Sequence, residues 1–296
     1  MMFQAMNSKI ILEGMKMEIK ERMKEEILSF EQNASRFIKG NSLDFVNNAS
    51  LHSPVFLKHE LFDLLKRSLI LAKLAHYYVH PFVGEDMKSA GYVSSFQERE
   101  PFMEKPMTVS SNERSLPFRL PIEVLTDRWI MKKQHFSFDF GGFGKGFIID
   151  RMKERFYTKA ENWLINAGGD LLVTGTMTAG IEHPVYMGQD MICLQLKDAA
   201  LATSGKNYRK WNNSHHILNG RTGKPANNGV LQASVIADTV MEAEMAAKIF
   251  CILPFKDARA LLQKNLPRIA YFIYFEDHQL VTGGNQTLYR EMEVAQ

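Results

Sequence analysis

The chain has 296 residues, 45% of them apolar and 23% charged, the balance of a soluble globular protein. Its formal net charge of +3 is too small to argue for nucleic acid or an anionic membrane as a partner. That length allows one large domain or two smaller ones. Cys193 and Cys251 lie far apart and form no Cys-x-x-Cys, so both are expected to be buried, reduced thiols. No stretch approaches the ~20 apolar residues a membrane helix needs. The first residues hold no basic region and no long apolar run; they read as a strand rather than a signal peptide, and the cytoplasm is the expected location. The Asn-x-Ser/Thr matches at Asn33, Asn48, Asn212 and Asn285 are then chance.

Phe3 to Leu12 reads as a strand. Met17 to Phe30 reads as a helix, with Ile19, Met23, Ile27 and Phe30 on its apolar side. A polar connection through Ser35, Asn41 and Ser42 leads to a second helix, Leu57 to Tyr77, whose Leu61, Leu64, Leu65, Ile70 and Leu74 predict a core position. From His80 to Pro121, recurrent Pro, Gly and Ser predict loops with a short strand or two. Ile122 to Met131 regains β character. Later strands are expected at Trp163–Ile165, Leu171–Val173, Met191–Leu196, Ala200–Thr203 and Gln232–Ile236. Helices are expected at Met241–Ile252 and Phe255–Leu266, then a hairpin from Arg268 to Thr282 pivoting near Asp277-His278. No repeat of fixed period appears.

The stretch from His135 to Asp170 stands out. Phe136, Phe138 and Phe140 alternate with Ser137 and Asp139, a strand pattern. Gly141, Gly142, Gly144 and Gly146 follow, with Lys145 among them; helical spacing then places Ile148, Ile149, Met152 and Phe156 on one side. A strand and a second glycine turn, Asn166 to Asp170, complete the unit. Glycines let backbone approach a ligand closely, N–H groups at a helix start attract phosphate, and Lys145 adds a charge. The loop matches neither standard nucleotide fingerprint, so a tight packing turn is the competing explanation.

Five stretches in order resemble the FAD:protein FMN transferase (ApbE-type) family: Phe3 to Ser8, Phe138 to Gly146 with Asp150, Asn166 to Asp170, Ala202 to Gly205, and His216 to Pro225. The resemblance runs over essentially the whole chain. It implies an α+β fold of mainly antiparallel sheets with packed helices, related to the T-fold, and one domain over residues 1–296 with an internal break near 80–121. It implies that FMN moves from FAD, with a magnesium ion, to a Thr or Ser hydroxyl of a target flavoprotein while AMP leaves. By the same resemblance His216 would be the general base, a role a neutral imidazole suits. Met6, Tyr78, Asp139, Lys145, Gly168, Gly169, Thr203, Ser204 and Leu218 would contact FAD, with His80 near that set. Gly142 and Glu244 would face the metal, at a position that includes Lys248.

Three departures from the family's pattern bear on this. Where the family reads Ala-Asp-Ala-x-x-Thr, this chain has Ala243-Glu244-Met245-Ala246-Ala247-Lys248. An ammonium therefore stands where a cation-liganding hydroxyl is expected; Lys248 could replace the metal's charge, pair with Glu244 at i,i+4 or point away. Asn219-Gly220 in place of Asp-Pro predicts a looser loop behind His216. Asn7 stands where glycine is usual. Taken without the family, His216 is a surface loop histidine, Lys145 a solvated lysine, Glu244 a helix salt-bridge partner, and Asp170 an Asx-type turn residue, the role expected for it. Tyr208, Arg209 and Trp211 could meet an acceptor protein or merely pack the loop. Competing functions for the same fold are an FAD-binding protein without transfer, or an FAD diphosphatase.

Overall fold

The computed structural model describes residues 1–92, 119–157, 162–207, 210–211 and 214–294. The chain opens with a hairpin, β1 (Met2–Ala5) and β2 (Ser8–Glu13), where one strand was expected. Ala5 faces Ser8, leaving a two-residue turn in which Met6 and Asn7 have φ of 52° and 55°. Such a turn needs positive φ twice, and Asn tolerates it better than most residues. Asn7 thus does the conformational work of the glycine usual there.

Helix α1 (Met17–Ala34) buries Met23, Ile27 and Phe30 as its spacing predicts. The polar connection contains a further short helix, α2 (Ser42–Asn47), capped by the Asn41 side chain, which accepts from Asp44 N. After β3 (Pro54–Phe56), helix α3 (His59–Leu74) buries Leu61, Leu64 and Leu65, but Ile70 is 62% exposed and is no core residue. Helix α4 (Gly84–Ser89) replaces the first part of the expected loop region; the expected break near 80–121 lies mostly outside the described residues. Strands β4 (Ile122–Thr126) and β5 (Trp129–Lys132) pair with each other, and β5 pairs with β3 on its other side.

Phe136 to Phe140 forms no strand, contrary to its alternation, and Phe136, Ser137, Phe138, Asp139 and Phe140 are all buried. The backbone groups find other partners. The Asn47 amide donates to Phe138 O (3.1 Å) and accepts from Phe138 N (2.7 Å), Asp139 N donates to Pro81 O, and Gly84 N donates to Ser137 O. A side-chain amide and a loop satisfy what a ladder would otherwise supply.

Helix α5 (Gly144–Phe156) leads to β6 (Trp163–Ala167) and β7 (Asp170–Thr174). Strands β8 (Thr176–Glu182) and β9 (Asp190–Lys197) precede β10 (Ala200–Gly205). Four two-residue strands follow: β11 (Lys210–Trp211), β12 (Ser214–His215), β13 (Leu218–Asn219) and β14 (Lys224–Pro225). Then come β15 (Val230–Ala237), α6 (Val240–Ile252), α7 (Phe255–Asn265), β16 (Ala270–Phe275), β17 (Leu280–Gly284) and β18 (Tyr289–Val294). The β16–β17 hairpin turns with His278 at φ 67°, where expected. Strands β8 and β18 were not expected.

Eight strands form one antiparallel sheet in the order β1-β2-β6-β7-β10-β15-β16-β17. Successive side chains of a strand face opposite ways, and here both faces are covered. Ile165, Leu172, Ala202, Val235 and Ile273 join the core shared with the helices. Their neighbours Leu164, Leu171, Leu201, Ile236 and Phe272 pack with Ile181, Ile192 and Leu194 of a second sheet, β18-β9-β8. The fold class is therefore mixed helices and antiparallel sheets, as expected. Cys251 is buried, with its thiol pushed up to about 12 by that burial, whereas Cys193 is only half-buried because it sits on the outer sheet. Among the described residues no helix is long and apolar enough to cross a membrane.

Helices α5 and α6 cross at a single tight point. A Cβ on Gly146 would meet Met241 N at 2.7 Å and Met241 Cα at 2.8 Å. One turn on, Asp150 accepts from Val240 N (2.8 Å) and Met241 N (3.0 Å), closing the start of α6. Gly146→Ala should lose about 1–3 kcal/mol of stability through overpacking, read by denaturant unfolding. Burial of the Asp150 carboxyl outweighs those two hydrogen bonds and raises it to about 7, against 3.8 ordinarily. Between those values the folded chain holds a proton that the unfolded chain has lost, so stability should fall as pH rises from about 4 through about 7. Unfolding of Asp150→Asn across that range should show this component of the slope, at most about 1.4 kcal/mol per pH unit, removed.

Candidate functional site

Two cavities meet beside the start of α5. The first is about 1150 Å³ with its open mouth and has Met6, Phe30, Tyr78, Tyr92, Phe140 and Leu218 among its walls. The second, likewise counted with its open mouth, is about 1100 Å³ and polar, reaching Asn166, Gly168, Gly169, Glu182, Thr203 and Ser204. Gly141, Lys145, His216 and Lys248 line both. The sequence-expected residues divide accordingly. Met6, Tyr78, His80, Asp139, Gly142 and Leu218 line the apolar cavity, and Gly168, Gly169, Thr203, Ser204 and Glu244 the polar one. Tyr208 and Arg209, and the side chain of Trp211, lie outside the described residues.

The positioning is local and legible in each case. Met6 N donates to Glu31 Oε1 (2.7 Å), tying the first hairpin's turn to α1. Gly168 and Gly169, at φ 63° and 94°, make the two-residue turn between β6 and β7. The turn's Asx residue is Asn166, whose side chain accepts from Gly169 N (3.0 Å). Asp170 does not have that role. It is paired instead with Lys145, 25 residues earlier, a contact that no local pattern announces. Thr203 shares a hydrogen bond with Ser234 (2.8 Å), and both belong to paired strands.

His216 rides on a loop held by two other histidines. Ile217 N donates to His215 Nδ1 (3.2 Å), so Nε2 carries the proton and donates to Ala226 O (2.8 Å). Phe82 N likewise donates to His80 Nδ1, leaving His80 Nε2–H for Gly220 O (2.9 Å). His215 and His80 are thus buried clamps, while His216 is half-buried at the cavity junction. Gly220 does not loosen this loop. Its N–H, which the family's proline would lack, donates to Tyr78 O (2.8 Å), and its bare Cα presses on His80, where a Cβ would lie 2.7 Å from the ring. Arg221 adds a bond to the Tyr78 hydroxyl (3.0 Å) and stacks 4.0 Å over its ring.

The glycine loop offers fewer donors to an anion than its composition predicts. Gly141 N donates to Asp139 Oδ1 (2.6 Å), Phe143 N and Gly144 N to Phe140 O, and Gly146 N to Glu244 Oε2 (3.3 Å). Positive charge at the junction comes from side chains. Lys145 pairs with Asp170, and Lys248 with Glu244 at 3.0 Å, the i,i+4 option. The carboxylates are 1% and 2% exposed; the lysine side chains, at 16% and 13%, are the more exposed partners. Burial pushes the Asp170 carboxyl up against the opposing charge of Lys145. Burial also pushes Glu244 up, but Lys248 and Lys145 together bring it below the ordinary range.

Gly142, Glu244 and Lys248 do come together: Lys248 Cε would lie 3.4 Å from a Cβ on Gly142. Yet the donor chemistry does not fit a divalent ion. Glu244 is engaged by an ammonium and by Gly146 N–H, and that ammonium stands in the third position. Like unit charges 4 Å apart repel by about 4 kcal/mol at an effective dielectric of about 20, and a divalent ion doubles this. Among the described residues no group of three or more His, Cys, Asp or Glu is arranged to hold a metal.

A model of the ApbE family matches residues 4–273. The chain belongs to the ApbE family. Relatives named FAD:protein FMN transferase, an enzyme name, include one from Chlamydia pneumoniae, 27% identical over 62% of this chain and 59% of that protein. Another, from Treponema pallidum, is 22% identical over 86% of this chain and 78% of that protein. Among solved structures, the ApbE protein of Thermotoga maritima matches with a TM-score of 0.82 at 20% identity, covering 98% of this chain and 99% of that one. The flavin transferase ApbE of Vibrio cholerae matches with 0.78 at 15%, covering 97% of each. At these identities the structural likeness concerns the ApbE fold alone.

Asp139, expected to contact FAD, has a partner that the sequence did not reveal. Arg36, 103 residues away, donates to its Oδ2 at 2.5 Å and to Tyr92 O at 2.6 Å, beside the rings of Phe37 and Tyr92. Both charged side chains are nearly excluded from water. Arg36→Met should destabilise the protein by about 3–5 kcal/mol, since it strands a buried carboxylate. Adding Asp139→Asn should recover a measurable part in a double-mutant cycle followed by thermal unfolding.

Proposed function

We propose that the chain is an FAD:protein FMN transferase that moves FMN from FAD to a Thr or Ser hydroxyl of a target flavoprotein and releases AMP. The observation that carries this reading is the junction of an apolar and a polar cavity at which His216, Lys145 and Lys248 meet. A flavin dinucleotide has one large planar ring, a diphosphate and a second nucleoside. The apolar cavity, walled by Met6, Tyr78, Phe140 and Leu218, suits a ring, and the lysines suit the diphosphate. The same reading takes residues 1–296 as one domain, because one apolar core draws on residues from Ala5 to Ile273.

The chemistry is phosphoryl transfer, in which positioning and charge neutralisation dominate. The acceptor oxygen forms a bond to the FMN phosphorus. The bond from that phosphorus to the bridging oxygen breaks, and its electron pair leaves on AMP. His216 takes the acceptor proton as the bond forms. Lys145 and Lys248 face the charge that builds on the phosphoryl oxygens and the departing AMP.

The test is incubation with FAD and an acceptor protein bearing the family's target hydroxyl, followed by mass spectrometry for covalent FMN and by assay for AMP. His216→Ala should lower the transfer rate about 10²–10⁴-fold while FAD binding stays within about threefold. FMN and AMP released without an acceptor would indicate a diphosphatase, and FAD bound but unconsumed a binding protein.

A further inference from the structure

The place where the family pattern leads one to expect a divalent ion is occupied by a covalently attached cation. Lys248 sits one helical turn after Glu244 on α6 and pairs with it at 3.0 Å. Its stem lies along the glycine loop at Gly142. Its side chain lines both cavities, as does that of Lys145. The two carboxylates, which also border the polar cavity, are more deeply buried than the two ammonium groups, so the more exposed end of each ion pair is the positive one. Four N–H groups of the adjacent loop donate to protein oxygens, which leaves the lysines as the main source of positive potential.

We propose that Lys248 is a tethered replacement for the divalent ion, and that with Lys145 it holds the diphosphate of a flavin dinucleotide without any added metal. The idea rests on the FAD reading above and specifies how that site takes its ligand. A diphosphate diester is a dianion. Two ammonium groups at the cavity junction match it in charge, and both are held in place before it arrives by almost fully buried carboxylates. A divalent ion has to displace Lys248 from Glu244 to gain that carboxylate as a ligand, and it meets the displaced ammonium as a like charge. Replacing Lys248 by threonine removes that charge, supplies a hydroxyl and opens Glu244 to a metal.

The experiment is an equilibrium titration of FAD into the purified full chain, followed by flavin fluorescence, once with EDTA and once with magnesium chloride. The wild-type dissociation constant should agree within about twofold in the two conditions. Lys248→Thr should bind FAD at least about tenfold more weakly in EDTA and recover in magnesium, and Lys248→Arg should bind in EDTA within a few-fold of wild type. Circular dichroism checks that each variant is folded. Should Lys248→Thr fail to fold, the wild type and Lys248→Arg still decide the matter. A wild type whose affinity rises tenfold or more with magnesium, or a folded Lys248→Thr that binds normally in EDTA, overturns the tethered-cation idea and leaves the FAD reading standing. Absence of flavin binding by the wild type in both conditions overturns the FAD reading itself, and the tethered cation with it.

Discussion

Asp170 and Glu244 are the most deeply buried carboxylates among the described residues, and the site is arranged around what neutralises them. An unpaired charge at such depth is strongly unfavourable. Each therefore has a lysine, and each lysine reaches its partner from the cavity side. The pairs come from four places in the chain: the start of α5, the start of β7 and two turns of α6. Holding them together requires α5 and α6 to approach more closely than side chains permit, which Gly146 allows. The buried charges, the helix crossing and the cavity junction are one constraint seen at three scales.

The sheet layers explain why this junction is stable. Strands β6, β7 and β10 are covered by helices on one face and by β8 and β9 on the other. Their connecting turns are consequently fixed at both ends, and Gly168, Gly169, Thr203 and Ser204 are placed by backbone pairing rather than by loop packing. His216 is placed differently. It stands on a short-stranded loop with little ladder support, and the clamps His215 and His80, together with Gly220, substitute for it.

Much of the fold was legible from period alone. The burial of Met23, Ile27 and Phe30 in α1, the α6–α7 pair and the β16–β17 hairpin follow from spacing and turn residues. The misses have separate causes. Phe136 to Phe140 alternates like a strand, yet its partner is the Asn47 amide rather than another strand. Phe3 to Leu12 reads as one strand because Met6 gives no hint of positive φ. Strands β8 and β18 lie in an outer sheet, where half-buried, irregular patterns are weak signals. The ordered motifs brought His216, the glycine turns and Lys145 to notice, but Arg36 had no local signal at all.

By itself the sequence determined the family, the order of helices and main strands, and which chemical groups were available: an imidazole at 216, lysines at 145 and 248, acids at 139, 170 and 244. Those depend on local periodicity and on short ordered motifs, which the chain carries in one dimension. Only the tertiary structure decided which acid faces which base. It gave Asp139 to Arg36, Asp170 to Lys145 and Glu244 to Lys248, and turned an expected anion nest into a lysine-lined wall. Pairing of buried charges depends on distance and desolvation, and both exist only once elements remote in sequence have packed together.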